Sequence, residues 1–528
     1  MSVSPFSLHE DYWEDFKVED ADIEFLYNYL LETETPTTSP ELTSALVKER
    51  IHREVQSIEQ QRSAGGNIYL PEKTYQLNQI LVFPALSWKR GNVAEMRPGR
   101  NPDLGEFQVV RVHFEDGEVK EFASALADHP LNRPLELQDD DRNLNFDAVF
   151  EAYRDDLIEN LEAVLEANPD FVRIAGRWFP RALLVDINAG HLNLAEAVLD
   201  MGNGGPLPTT TLMEQVGLAS QANAKLVEFS LDLALQEDQR FDEVGPAGEV
   251  LWYLNRLEPE GVLHTPPYLR YHEVDYDRDL LTDGMLALER ELDDELSPLS
   301  WKYSKPNEVQ MQLIFPHWMA GTLPLSGRIR HLFPTAYEAP RIRLMLVDGS
   351  TGARFPAWVV RQQRYVYGLK EWFESCGLIP GSLFWIKKGK NPGEVIVQVD
   401  AQRPSREWIR TVLVGSDGGI VFATLKQIVK TAFDERMAIA IPDVEALDQA
   451  WNQIQKERLP FERIVVNTVR ELAKLNPQRH VHAKELYAAM NVIRRCPPGP
   501  ILALLASRPW FVHVGDLYFR FDDSERSE

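Results

Sequence analysis

The chain has 528 residues, 44% of them apolar and 10% aromatic, with two cysteines and a formal net charge of −26. That length exceeds what one hydrophobic core serves, so several domains are expected. The two cysteines, Cys376 and Cys496, exclude a disulfide framework or a Cys-rich zinc site and imply a reduced, cytoplasmic setting.

No apolar run approaches the roughly 18 residues of a membrane span, and the acidic N-terminus lacks the order of a secretory signal. No membrane role is expected. The charge is unevenly spread: residues 301–528 hold 31 Lys+Arg against 23 Asp+Glu, leaving 24 against 58 in residues 1–300. Such asymmetry points to a nucleic-acid partner for the basic half and a protein partner for the acidic one. Acidic surface that only keeps the chain soluble is the plainer account of the amino half.

Residues 1–67 read as an acidic helical segment. Ile23, Leu26, Tyr27 and Leu30 fall at helical spacing. Ser39-Pro40-Glu41 is a strong helix start, with a stop at Gly65-Gly66. Residues 68–135 change to strand period, with Asp116-Gly117 as a hairpin signal. The expectation is a small barrel similar in topology to SH3-like modules. Its Lys89, Arg90, Arg97, Arg100 and Arg111 are interleaved with acids that cancel them, so a structural or protein-contacting barrel is expected.

Asp139-Asp140-Asp141 marks a linker into residues 140–257, a helical block opening on a helix over 147–168. Three further helices and a hairpin around Gly248 give winged-helix order. On Phe229-Ser230, Arg240-Phe241, Gly248 and Trp252 the block resembles the winged helix of the δ subunit of bacterial RNA polymerase. The third helix carries Glu228, Asp232, Glu237 and Asp238, which repel phosphate, so a protein-contacting or spacer role is expected. Residues 258–300 read as a linker with an acidic helix over 279–296. His264, His272, Glu273, Asp275 and Asp277 cluster there without metal-ligand spacing, so no metal is expected.

Residues 301–403 carry fourteen Lys or Arg, counted over 302–403, against seven acids. Short strands alternate with turns, as in a small barrel. One arm holds Arg328 and Arg330 ahead of Leu332-Phe333-Pro334. A second is the tip Arg361-Gln362-Gln363-Arg364, followed by Gly368, Trp372 and Leu378–Gly381 in sequence. This order resembles the DNA-binding pseudobarrel of auxin-response factors and of restriction-endonuclease effector domains. Two positions depart from that family: Leu369 stands where Trp follows Gly, and Ser382 where an acid follows the turn Gly. The resemblance implies duplex DNA as partner. Arg suits guanine and Gln adenine in the major groove, while Lys387, Lys388 and Lys390 suit phosphates.

Residues 404–455 read as a connecting α/β segment. Residues 456–523 again show winged-helix order, with eleven bases against five acids between Lys456 and Arg520. Arg494 and Arg495 precede the third helix and Arg508 follows it, so phosphate contacts are expected from all three. The fold class expected is therefore α+β multidomain: SH3-like barrel, winged helices and a DNA-binding pseudobarrel.

Nucleophile elbows, phosphate-binding glycine loops and zinc-protease motifs are absent from the sequence. Glu118-Val119-Lys120 with Asp116 matches a nuclease tripeptide, but on one tight turn that leaves no room for a metal. No catalysis and no cofactor are expected. The sequence supports a DNA-binding transcriptional regulator whose acidic half meets RNA polymerase or another protein. A protein-interaction scaffold and the specificity subunit of a restriction or defence system stay open beside it.

Overall fold

The computed structural model describes residues 11–522 apart from 64–66, 84–85, 87–88, 102–105, 115–116, 128, 133–141, 219–222, 299–302, 392, 417 and 458. The expected Gly65-Gly66 stop, Asp116 and the Asp139-Asp140-Asp141 linker lie outside the described residues. The fold is α+β. No helix among the described residues is long and apolar enough to cross a membrane. The chain forms two compact units, Met1–Val185 with Asn223–Phe229, and Asp186–Ala222 with Ser230–Glu528.

In the first unit, helix Asp20–Thr33 buries Leu26 and Leu30, and helix Ser39–Ser63 starts at the Ser-Pro-Glu signal. A five-stranded sheet follows, its last four strands an antiparallel meander. Tyr69, Phe83, Val93, Val110, Val112 and Phe114 fill its core. Outside, Arg97 and Arg111 both pair with Glu121, and Lys89 with Glu118, so the acids do offset its bases. Helix Phe146–Ala167 and the hairpin Phe171–Ile174/Arg177–Pro180 complete the unit.

Helix Phe146–Ala167 belongs with the two N-terminal helices rather than with the block after it, because strand Thr37–Thr38 pairs with Arg177–Pro180. The five-stranded sheet is thus an insertion into a helix–strand–helix–helix–hairpin module. That module recurs twice further along the chain, from Ala189–Met201 to Leu251–Leu254 and from Phe461–Ala473 to Tyr518–Phe521.

The three copies agree residue by residue. Thr37, Leu207 and Val481 on the first strand face Trp178, Trp252 and Phe519 on the last. Two residues on, the second helix opens with Ser39, Thr209 and Ala483. The hairpin opens with Phe171, Phe241 and Phe511, and nine residues earlier the third helix carries Glu162, Asp232 and Leu502. In the first copy the Trp178 indole N–H donates to Ser39 Oγ at 2.9 Å, and Ser39 donates to Glu162. In the second, Trp252 donates to Thr209 Oγ1 at 3.1 Å and Asp232 Oδ1 at 2.9 Å, and the Thr209 hydroxyl donates to Asp232. In the third, all three positions are apolar and buried. A buried donor needs an acceptor, so polar groups at such a site are kept together or lost together.

The second unit is built around a curled seven-stranded sheet. Its strands are β1 (Glu308–Gln312), β2 (Thr322–Pro324), β3 (Arg341–Asp348), β4 (Arg354–Val360), β5 (Tyr365–Tyr367), β6 (Leu383–Lys388) and β7 (Val395–Val399), in the order β1-β6-β7-β3-β4-β5-β2. All neighbours are antiparallel except β3 and β7. Ile342, Leu344, Leu346, Val359, Val366, Phe384, Ile386 and Val397 make the inner core. The outward Trp358, Val360 and Tyr365 pack on Val244, Tyr253, Val262 and Leu269. Arg341 there is ion-paired with both Asp242 and Glu258.

After the sheet comes a long ribbon, β8 (Ala401–Val414) and β9 (Ile420–Thr431), with a short third strand, Ile439–Ala440, paired parallel to β8 at Arg410 and Thr411. Near its turn, Val412 and Phe422 join the core of the third module, which also takes in Met285 and Leu288 of helix Asp283–Leu292. That helix is shorter than the 279–296 expected. It stops at Asp293, in the left-handed region at φ 47, because the acids that follow turn inward to partners.

Candidate nucleic-acid interface

Strand polarity decides where the predicted arms fall. β1, β3, β5 and β7 start, and β2, β4 and β6 end, at one end of the seven-stranded sheet. The loops 325–340, 361–364 and 389–394 therefore all open there. They carry Arg328, Arg330, Arg361, Gln362, Gln363, Arg364 and Lys390, with Lys387 and Lys388 closing β6 beside them. Sequence separations of up to 62 residues are brought to one edge by the ladder alone.

The two arms are joined directly. Pro324 pairs with Tyr365, and the Leu325 N–H donates to Arg364 O at 2.7 Å. Arg364 holds the hairpin tip in the left-handed region, at φ 56. The first arm also reaches the far side of the curled sheet. His331 Nε2 lies 2.7 Å from Pro306 O, and the next residue's carbonyl, Asn307 O, accepts the Lys388 N–H at 2.8 Å. Arg330 and Lys388 thus flank one short segment.

Most of these guanidinium groups are held by carbonyls. Arg361 Nη1 donates to Ala339 O at 2.7 Å, Arg364 Nη1 to Glu295 O at 3.0 Å and Arg328 Nη2 to Glu291 O at 3.0 Å. A guanidinium has five donors, so one carbonyl contact orients the group without cancelling its charge. Arg328 is the exception, with Asp293 Oδ2 at 3.2 Å from its Nε. Lys387 is ion-paired with Glu308 at 3.3 Å. Arg330, Gln362, Gln363, Arg364, Lys388 and Lys390 are exposed.

Ser382, which replaces the acid of the resembled family, is buried, and its Oγ accepts the Ile379 N–H at 3.0 Å. A hydroxyl therefore does the turn-closing work at this position. Gly368 adopts φ 112 where a Cβ would meet Pro356 O at 2.8 Å, so the position admits only glycine without a shift of backbone.

The C-terminal set is not brought together. Arg495 was expected at a phosphate; instead it is 2% exposed, with Nη1 and Nη2 on Asp294 at 2.8 and 2.7 Å and Nη2 on Glu295 at 2.7 Å. Buried, and with both carboxylates on it, that side chain is out of reach of a phosphate. The third helix, Pro498–Ser507, buries Pro498, Pro500, Ile501, Leu502 and Leu505, and a Cβ on its Gly499 would strike the Tyr276 ring. It offers no donors to a groove. Arg494 is half-buried over the Phe461 ring, and Arg508 pairs with Glu462 at 3.1 Å.

The residues missed from sequence are Asp293, Asp294 and Glu295. All three are buried: Asp293 bonds Ser326, Asp294 bonds Tyr487 and Arg495, and Glu295 lies between Arg495 and His317 Nε2. Burial pushes the Glu295 carboxyl up, but Arg495 and His317 outweigh it and hold the group well below the usual carboxylate range. Acid runs of this kind are usually solvated, so nothing in the string marked them. No protein-family model matches the chain, and no curated protein or solved structure matches it either.

Proposed function

We propose that the chain is a non-enzymatic DNA-binding protein with a regulatory role, gripping duplex DNA at the loop-bearing end of the seven-stranded sheet. The observation that carries this reading is the convergence of three loops on one end, with the Arg361 and Arg364 guanidinium groups oriented by neutral carbonyls. Oriented but unspent charge is what a phosphate or a guanine edge requires. The likeness of the arm order to the plant-type pseudobarrel supports the same reading, and it makes Gln362 and Gln363 the candidates for adenine. Lys388, Lys390 and Arg330 would take phosphates. Arg495 has no part in it, and Arg494 and Arg508 contribute only long-range charge. The acidic first unit would meet a protein partner, with RNA polymerase as the first candidate.

The test uses the full chain and oligonucleotides selected from a random duplex pool. Charge reversal at Arg330 and Arg364 should weaken binding at least tenfold and lower the salt slope by about one for each phosphate no longer neutralised. Gln362→Ala with Gln363→Ala should relax sequence preference while leaving random-duplex affinity in place. Unchanged binding in the charge-reversed chain would overturn the reading. An assembly scaffold is the second reading, favoured by the burial of the last module's third helix; failure to enrich any duplex from the pool would select it.

A further inference from the structure

Ribbon β8–β9 has two faces, and one is half bare. The pairs Arg406–Ile428 and Trp408–Lys426 share that face, with Lys430 two residues further along β9. All five side chains are exposed, Trp408 at 66% and Ile428 at 63%. The ribbon has core available, since it buries Ile409 and Val429 on its other face and Val412 and Phe422 near its turn. An indole left in water beside such a core marks a contact surface.

Charge selects the occupant. Arg410, further along the same face, is ion-paired with Glu485 at 3.1 Å. Arg406, Lys426 and Lys430 have no carboxylate partner among the described residues. Lys426 Nζ stands 5.2 Å above the Trp408 ring. The one acid on this stretch of β8, Glu407, faces the other way, opposite Gln427. A second copy pairing along β9 would bring Lys426 and Lys430 against their equals, which edge lysines oppose. An apolar protein surface would meet two apolar side chains separated by cations.

We propose that this face holds an unpaired DNA strand, one base stacked on Trp408 and the adjoining phosphates on Arg406, Lys426 and Lys430. An aromatic ring among free cations is the arrangement that grips single strands, because every base offers a π-face and every linkage a charge. Duplex DNA hides those faces. The single-strand geometry stands independently of the sheet-end site; the choice of DNA rests on that site.

The test measures the full chain binding a short labelled oligothymidylate by fluorescence anisotropy. Trp408→Ala should weaken binding about tenfold, and Trp408→Phe should restore most of it. An abasic strand of equal length should bind weakly and be indifferent to Trp408→Ala. Arg406→Glu with Lys426→Glu should weaken both strands and flatten the salt dependence. Duplex binding that depends on Arg330 and Arg364 should survive Trp408→Ala, so either site can fail alone. Wild-type affinity in Trp408→Ala, or no binding of oligothymidylate by the wild type, would overturn the proposal. So would a dimer in sedimentation that Trp408→Ala dissolves. Preference for oligouridylate would overturn the choice of DNA.

Discussion

Arg495 and Asp294 form a two-point ion pair at 2.8 and 2.7 Å with neither side chain more than 1% exposed. Removing Arg495 leaves Asp294 and Glu295 buried without their shared cation, and removing Asp294 leaves Arg495 with Glu295 as its one remaining carboxylate among the described residues. Arg495→Ala and Asp294→Ala should each destabilise the chain by about 3–5 kcal/mol, whereas the double replacement Arg495→Met with Asp294→Leu should cost much less than the sum. Urea melts of the four chains measure this. Additive losses would show that the pair is not a unit.

Glu295 gives the same region an acid limit. Its folded pKa lies below the unfolded value of about 4.3. Its contribution is therefore complete above about pH 4.3 and lost as pH falls through the folded pKa. Glu295→Gln should be less stable at neutral pH and should lose part of the wild-type decline below pH 4.3, read from melting temperatures across an acid series.

Glu243 slopes the other way. Burial raises it to about 8, with Glu338, Asp232 and Asp242 adding to the rise against the Gly245 N–H. A raised carboxyl contributes stability that is whole below about pH 4.3 and is lost as pH rises through about 8. Glu258, raised to about 8 by burial and by Asp242 against Arg341, adds a slope of the same sign. Glu243→Gln should therefore flatten the stability profile between pH 5 and 8 in part and gain most at the alkaline end. An unchanged profile would place the titration elsewhere.

What the string revealed and what it hid divide along the length of the signal. Ser39-Pro40-Glu41 opens a helix by local chemistry, and helix Ser39–Ser63 follows. The arms were legible because turn residues and alternation are local too. The first module was not, because its third helix is separated from the second by a whole inserted sheet, and the strand pairing Thr37–Trp178 and the Ser39–Glu162 bond that join its two halves span more than 120 residues of sequence. The fate of Arg495 was hidden for a related reason. Its partners lie about two hundred residues away, on a stretch that reads as solvated acid.

The module repeat makes a sharper demand. Asp232→Leu alone should leave the Thr209 hydroxyl buried without an acceptor and Trp252 Nε1 with only Thr209 Oγ1, at a cost of about 1–3 kcal/mol for the unsatisfied hydroxyl. Copying the third module entire, with Trp252→Phe, Thr209→Ala and Asp232→Leu, removes the donors as well as the acceptor. The triple chain should be more stable than Asp232→Leu alone by at least about 1 kcal/mol, although it carries two more core substitutions. Chemical denaturation read through the remaining tryptophans tests it. A triple chain less stable than the single would mean that indole volume, rather than the polar triad, decides this site, since Phe519 fills its pocket beside Ala483 and Leu502 with a smaller ring.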